Sequence, residues 1–176
     1  MKKFMKLFLT MVCFVSLVAC GKREENVQVN KEGTIYEVGK DISFYYPAEF
    51  ELISKAESES DDNTVFFKKE NQVLFYKVEN DAFDNEPSQK VELYKGELEV
   101  ASAKVEEVKE PALESGLKCY EYIGEYPKTG LKFIHLVYFE EQYTYIYGYE
   151  ANEKEYNNNI DKIIVYLETF TKSTGL

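Results

Sequence analysis

Three thiols, one imidazole and a row of phenols are the side chains from which this sequence could build chemistry. The thiols are Cys13, Cys20 and Cys119, and the only histidine is His135. A thiol nucleophile needs a base beside it, so Cys119 and His135 are the pair to consider. Both fall in segments that read as strands and could be neighbours in one sheet. No loop beside them is suited to orient a reacting pair, and a buried, small-hydrophobe role for Cys119 and a structural role for His135 are expected. The sequence contains no G-x-S-x-G, no H-E-x-x-H, no paired C-x-x-C and no phosphate-binding glycine loop. The acidic stretches 57–63 and 79–86 offer oxygens for calcium, yet neither has the glycine and glutamate placing of an EF-hand loop. Solvated loops and no metal site are the expectation. Carboxylates are abundant, but nothing singles out two of them as a glycosidase pair.

The phenols are more distinctive. In Tyr143-Thr-Tyr145-Ile-Tyr147-Gly-Tyr149 a tyrosine recurs at every second position. Period two is the side-chain period of a β-strand, so Tyr143, Tyr145, Tyr147 and Tyr149 leave one face of a sheet. Such a face is either a platform for a ligand or core with hydroxyls at its rim.

The elements that position these residues follow from periodicity and turn chemistry. Strands are expected over 34–38, 42–46 and briefly 49–53. A hairpin over 64–69 and 72–79 turns at Glu70-Asn71. Asp84-Asn85-Glu86-Pro87 opens a helix, with Val91, Tyr94, Leu98 and Ala101 as its stripe and an end near Ala103. Strands over 117–125, 131–140 and 143–150 are joined by short loops, which predicts an antiparallel meander. A final helix starts at Asn152, with Glu155 at capping-box spacing and a stripe of Tyr156, Ile160, Ile163, Ile164, Leu167 and Phe170.

Register follows from the loops. A two-residue turn at Glu141-Gln142 pairs Tyr138 with Tyr145, Leu136 with Tyr147 and Ile134 with Tyr149. A five-residue loop from Tyr126 to Gly130 sets Leu136 against Tyr120 and Ile134 against Tyr122. Tyr120 and Tyr122 then share the face of the tyrosine row, and His135 lies between Glu121 and Gly148 on the other. Two helices need two places to dock, so this reading favours a tyrosine face that is mostly covered, with hydroxyls emerging at one edge.

The N-terminus carries a different kind of information. Lys2, Lys3 and Lys6 precede an apolar run from Leu7 to Ala19, which is too short to span a bilayer comfortably. A basic start and a short apolar segment are the form of an export signal. Leu17-Val18-Ala19-Cys20 then resembles the lipobox of bacterial lipoproteins. The resemblance implies cleavage between Ala19 and Cys20 and a diacylglyceryl group on the Cys20 thiol, with no other cofactor. The expected organisation is a signal peptide over 1–19, a lipidated Cys20 and flexible tether over 20–33, and one α+β domain over 34–176. Cys119 is then the sole remaining thiol, with no disulfide partner in the chain.

Composition agrees with this. The 176-residue chain has 44% hydrophobic residues and a formal net charge of −11, which the loss of 1–19 would make more negative. Such a body repels nucleic acid and anionic lipid surfaces.

"ISFYYPAEF" (42–50), "GLKCYEY" (116–122) and the terminal "LETF" (167–170) are similar to the PsbP-like superfamily, although Phe50 stands where that pattern has tryptophan. The resemblance implies an antiparallel sheet with two main helices packed on its faces, an α/β/α sandwich. The expected protein is an extracytoplasmic, membrane-anchored binding or accessory module that meets an envelope protein or small ligand. An envelope hydrolase acting through carboxylates and a sensor or accessory subunit of a transport or signalling complex are the alternatives.

Overall fold

A computed structural model describes residues 32–54, 63–80 and 85–173. The lipobox, the cleavage site and nearly all of the proposed tether lie outside them, as do 57–62 and 81–84 of the acidic stretches. The strands are β1 (Gly33–Val38), β2 (Ile42–Pro47), β3 (Glu51–Ile53), β4 (Thr64–Lys69), β5 (Gln72–Asn80), β6 (Lys104–Lys109), β7 (Tyr120–Tyr126), β8 (Leu131–Phe139), β9 (Tyr143–Asn152) and β10 (Thr171–Lys172). The helices are α1 (Pro87–Val100), between β5 and β6, and α2 (Glu153–Leu167), between β9 and β10. Seven strands form one antiparallel sheet in the order β3-β4-β5-β9-β8-β7-β6, and β1-β2-β10 form a second, small sheet. This α+β architecture has two helices on opposite sides of the large sheet. The small sheet is an addition, because a two-residue strand such as β10 leaves no periodicity to read.

Local chemistry explains the elements. The Asn152 side chain accepts the Glu155 N–H at 3.0 Å, which caps α2 as its spacing predicted. α2 ends at Leu167, one turn short of Phe170, which is buried in the chain turning toward β10. α1 ends at Val100, where Ser102 turns into the left-handed region (φ 69°) and the Ala103 N–H reaches back to the Leu98 carbonyl at 2.9 Å.

The β8–β9 register is the one that the two-residue turn dictates: Tyr138 faces Tyr145, Leu136 faces Tyr147, and Ile134 faces Tyr149. The β7–β8 register is not. Tyr126 pairs with Leu131, so the loop has four residues rather than five, closed by the Thr129 and Gly130 N–H groups on the Tyr126 carbonyl at 3.1 and 2.9 Å. A slip of one residue sends every side chain of a strand to the opposite face. Tyr120 and Tyr122 therefore lie on the α1 side, and Cys119, Glu121 and Ile123 lie on the side of the tyrosine row.

Two cores result. One packs the tyrosine face of the large sheet against α2 and the small sheet, with Phe44, Phe67, Leu136, Tyr147, Ile163 and Leu167 at its centre. The other packs Tyr122, Phe133, Val137 and Ile146 against Tyr94 and Leu98 of α1.

Candidate functional site

The tyrosine row is core for most of its length. Tyr147 and Tyr149 are sealed, Tyr145 is 6% exposed, and Tyr143, beside the turn, is 41% exposed. The Tyr147 hydroxyl donates to the Tyr45 carbonyl at 2.9 Å, and the Tyr149 hydroxyl donates to Gln72 Oε1 at 2.8 Å. Burial raises the pKa of both phenols. The cover comes from the small sheet as well as from α2: Phe44 of β2 lies 4.4 Å from the Tyr147 ring, centroid to centroid.

Cys119 and His135 are on opposite faces of the large sheet. Cys119 is fully buried beside Tyr138, and burial pushes its thiol up to about 12, away from the reactive thiolate. His135 is 2% exposed, boxed between the rings of Phe75 and Phe133. It pairs across the sheet with Tyr122 and Gly148, not with Glu121. Its Nδ1 meets the Tyr94 hydroxyl at 3.0 Å, and its Nε2 faces Glu150 Oε1 at 3.4 Å. These contacts tie α1 to the sheet. A Ser-x-x-Lys spacing at Ser115–Lys118, not singled out above, falls in the exposed turn before β7, where Ser115 Oγ accepts the Leu117 N–H. Among the described residues Glu121 is the one buried acid, ion-paired with Lys109 at 2.7 Å, so no two buried carboxylates share a site.

Where the tyrosine row reaches solvent, a cleft of about 780 Å³ opens. It is lined by Phe139, Tyr143 and Tyr145 and by the β8–β9 turn, Glu140 to Gln142. Asn85, Glu86, Pro87 and Lys90 at the start of α1, together with Asp41 and Lys172, complete the lining. The size falls within the range of small-molecule sites, about 300–1,000 Å³. Each part of the lining is held in place. The Glu86 N–H donates to Gln89 Oε1 at 3.0 Å, which closes the first turn of α1. Lys90 is only 5% exposed, and its ammonium donates to the Glu140 and Glu141 carbonyls, which clamps the β8–β9 turn to the helix. β10 is fixed by its pairing with Ser43 and Ile42 and by the Ser173 N–H on the Asp41 carbonyl at 2.6 Å.

The Lys172 ammonium pairs with the Glu140 carboxylate and stands 5.2 Å from the centroid of the Tyr145 ring. Partial burial lowers its pKa, but Glu140 and Tyr145 outweigh that, and the ammonium form is favoured overall. Lys90 could have been suspected from sequence, since it lies four residues before Tyr94 on the inward stripe. Asp41 and Lys172 could not, because Asp41 lies about a hundred residues before the turn and Lys172 lies 32 residues after Glu140, beyond the whole of α2.

No protein-family model matches the chain. No curated protein is similar to it at a significant level. Solved structures do match it. The cyanobacterial PsbP (CyanoP) of Synechocystis sp. PCC 6803 superposes with a TM-score of 0.60 at 12% identity, over 89% of this chain and 99% of that one. LpqN, involved in cell envelope biogenesis of Mycobacterium tuberculosis, gives 0.56 at 14% identity, over 83% and 95%. PA94 of Pseudomonas aeruginosa gives 0.53 at 10% identity, over 82% and 99%. The fold is thus the PsbP-like α+β sandwich. Among the described residues, no helix is long and apolar enough to cross a membrane.

Proposed function

We propose that the chain is a lipid-anchored lipoprotein of the bacterial cell envelope whose folded part is a non-catalytic binding module, with the cleft at the β8–β9 turn as its site. One observation carries the binding half of this reading: the tyrosine row is buried except at its end, where the exposed Tyr143 borders the cleft beside Tyr145, while Cys119 and His135 are sealed in separate cores. A nucleophile and base that cannot meet each other or a substrate suit packing, whereas a lining of aromatic and charged residues suits recognition. The anchoring half rests on Lys2, Lys3, Lys6, the apolar run to Ala19 and Leu17-Val18-Ala19-Cys20. One fold neighbour, LpqN, is involved in envelope biogenesis, which fits such a place.

Two measurements test the halves separately. Cys20→Ala should abolish labelling by a fatty-acid analogue in growing cells and release the protein from the membrane fraction; unchanged labelling would refute the anchor. A photo-crosslinking phenylalanine at position 143 should capture an envelope component that the same probe at Leu93, exposed on α1 away from the cleft, does not. Equal capture from both positions, or none from 143, would refute the site.

A further inference from the structure

We propose that the cleft recognises an alkylammonium group and that Lys172 is its internal stand-in. The inference rests on the reading of the cleft as the binding site. Lys172 ends in an ammonium on an alkyl stem, and this ammonium is held as a ligand cation would be. A carboxylate, Glu140, lies on one side, and the face of an aromatic ring, Tyr145, lies 5.2 Å away. Ring face plus carboxylate is the chemistry that binds organic cations. The cleft extends beyond this contact. Tyr143, 41% exposed and 6.1 Å from the Tyr145 ring, offers a second aromatic surface. Asp41, Glu86 and Glu141 line the remaining space, and among the described residues Asp41 and Glu141 form no ion pair.

The balance of charge favours a cation. Four carboxylates border the cleft against two lysines, and Lys90 is committed to the carbonyls of the β8–β9 turn. These carboxylates are too dispersed to wrap a metal ion, since no metal-ligating group of three occurs among the described residues. A cation that carries its charge on an extended alkyl stem reaches dispersed acids and covers the rings, which a bare ion does not. Lys172 sits on a two-residue strand at the end of the small sheet and belongs to neither core.

The test is equilibrium dialysis of the full chain in detergent against labelled cadaverine, a free alkyl diamine. Saturable binding is expected. Lys172→Ala, which removes the competing internal ammonium, should bind at least fivefold more tightly with an unchanged thermal midpoint. Glu141→Gln and Tyr143→Ala should each weaken binding about threefold, in line with one exposed ring or charge contact. Failure of both the wild type and Lys172→Ala to bind, or a Lys172→Ala variant that binds no better, overturns the proposal. Phosphoethanolamine, run alongside, separates sources: binding of cadaverine alone points to a free amine, and binding of both points to a phospholipid headgroup. Capture by the probe at position 143 without amine binding would leave the module standing and remove this ligand class.

Discussion

Replacing Tyr149 by phenylalanine should destabilise the domain more than the same change at Tyr147, although the two sites lose the same atom. Both rings are fully buried, so neither change alters hydrophobic packing much. The partners differ. The Tyr149 hydroxyl donates to Gln72 Oε1 at 2.8 Å, and Gln72 is 2% exposed. Tyr149→Phe leaves that amide oxygen without its donor in a sealed core, a loss of about 1–3 kcal/mol. The Tyr147 hydroxyl donates to the Tyr45 carbonyl, and the Thr169 hydroxyl, which bonds the Tyr166 carbonyl, stands 3.4 Å from the same oxygen and can turn to replace it. Tyr147→Phe should therefore cost only about 0.5–1 kcal/mol, the net worth of one hydrogen bond. Tyr147→Ala removes the ring that packs on Phe44 and should cost about 3–5 kcal/mol. Tyr143→Ala, half in solvent, should stay within about 0.5 kcal/mol. Guanidinium melts of the four variants at one pH give the order directly. A Tyr149→Phe midpoint at or above that of Tyr147→Phe would refute the orphaned-oxygen argument. A Tyr147→Ala melt near wild type would refute the assignment of this face to the core.

Three further outcomes follow from the same structure. Alkaline pH should unfold the domain: burial holds the Tyr94, Tyr138 and Tyr147 phenols well above their ordinary pKa of 10, so the unfolded chain releases protons that the folded one retains. Stability is then complete below about pH 10 and falls above it by about 1.4 kcal/mol per tyrosine per pH unit; a denaturation midpoint unchanged to pH 11.5, about 1.5 units above the phenol value, would contradict this. Gly148→Ala places a Cβ 2.5 Å from the Phe75 ring and 2.7 Å from His135 Cδ2, and such overpacking should cost about 1–3 kcal/mol by thermal or denaturant melt. The Cys119 thiol, pushed up to about 12 by burial, should resist a thiol reagent at pH 8 in the native protein and react in guanidinium; rapid native labelling would show that this core opens.

What the sequence determined by itself is what nearest neighbours along the chain control. Asn152 and Glu155 start α2, the two-residue β4–β5 turn sets its hairpin, and Glu141-Gln142 sets the β8–β9 register, because caps and tight turns act within four residues. The resemblance of Leu17–Cys20 to a lipobox, on which the proposed anchor rests, is of the same kind, a local pattern read without any fold. The tertiary structure decided the rest. The loop after Tyr126 is one residue shorter than its composition suggested, and that single step exchanged the faces of Tyr120, Tyr122, Cys119 and Glu121. Periodicity is blind to such a slip, since it shows which residues of β7 share a face but not which side of the sheet that face joins. β10 is too short to carry a pattern, and only the packing of Phe170 and the pairing with β2 bring it into place. The cleft depends on that placement. Asp41, Lys90, Tyr145 and Lys172 come from four separate elements, and no spacing in the chain records that one ammonium will come to rest over one ring.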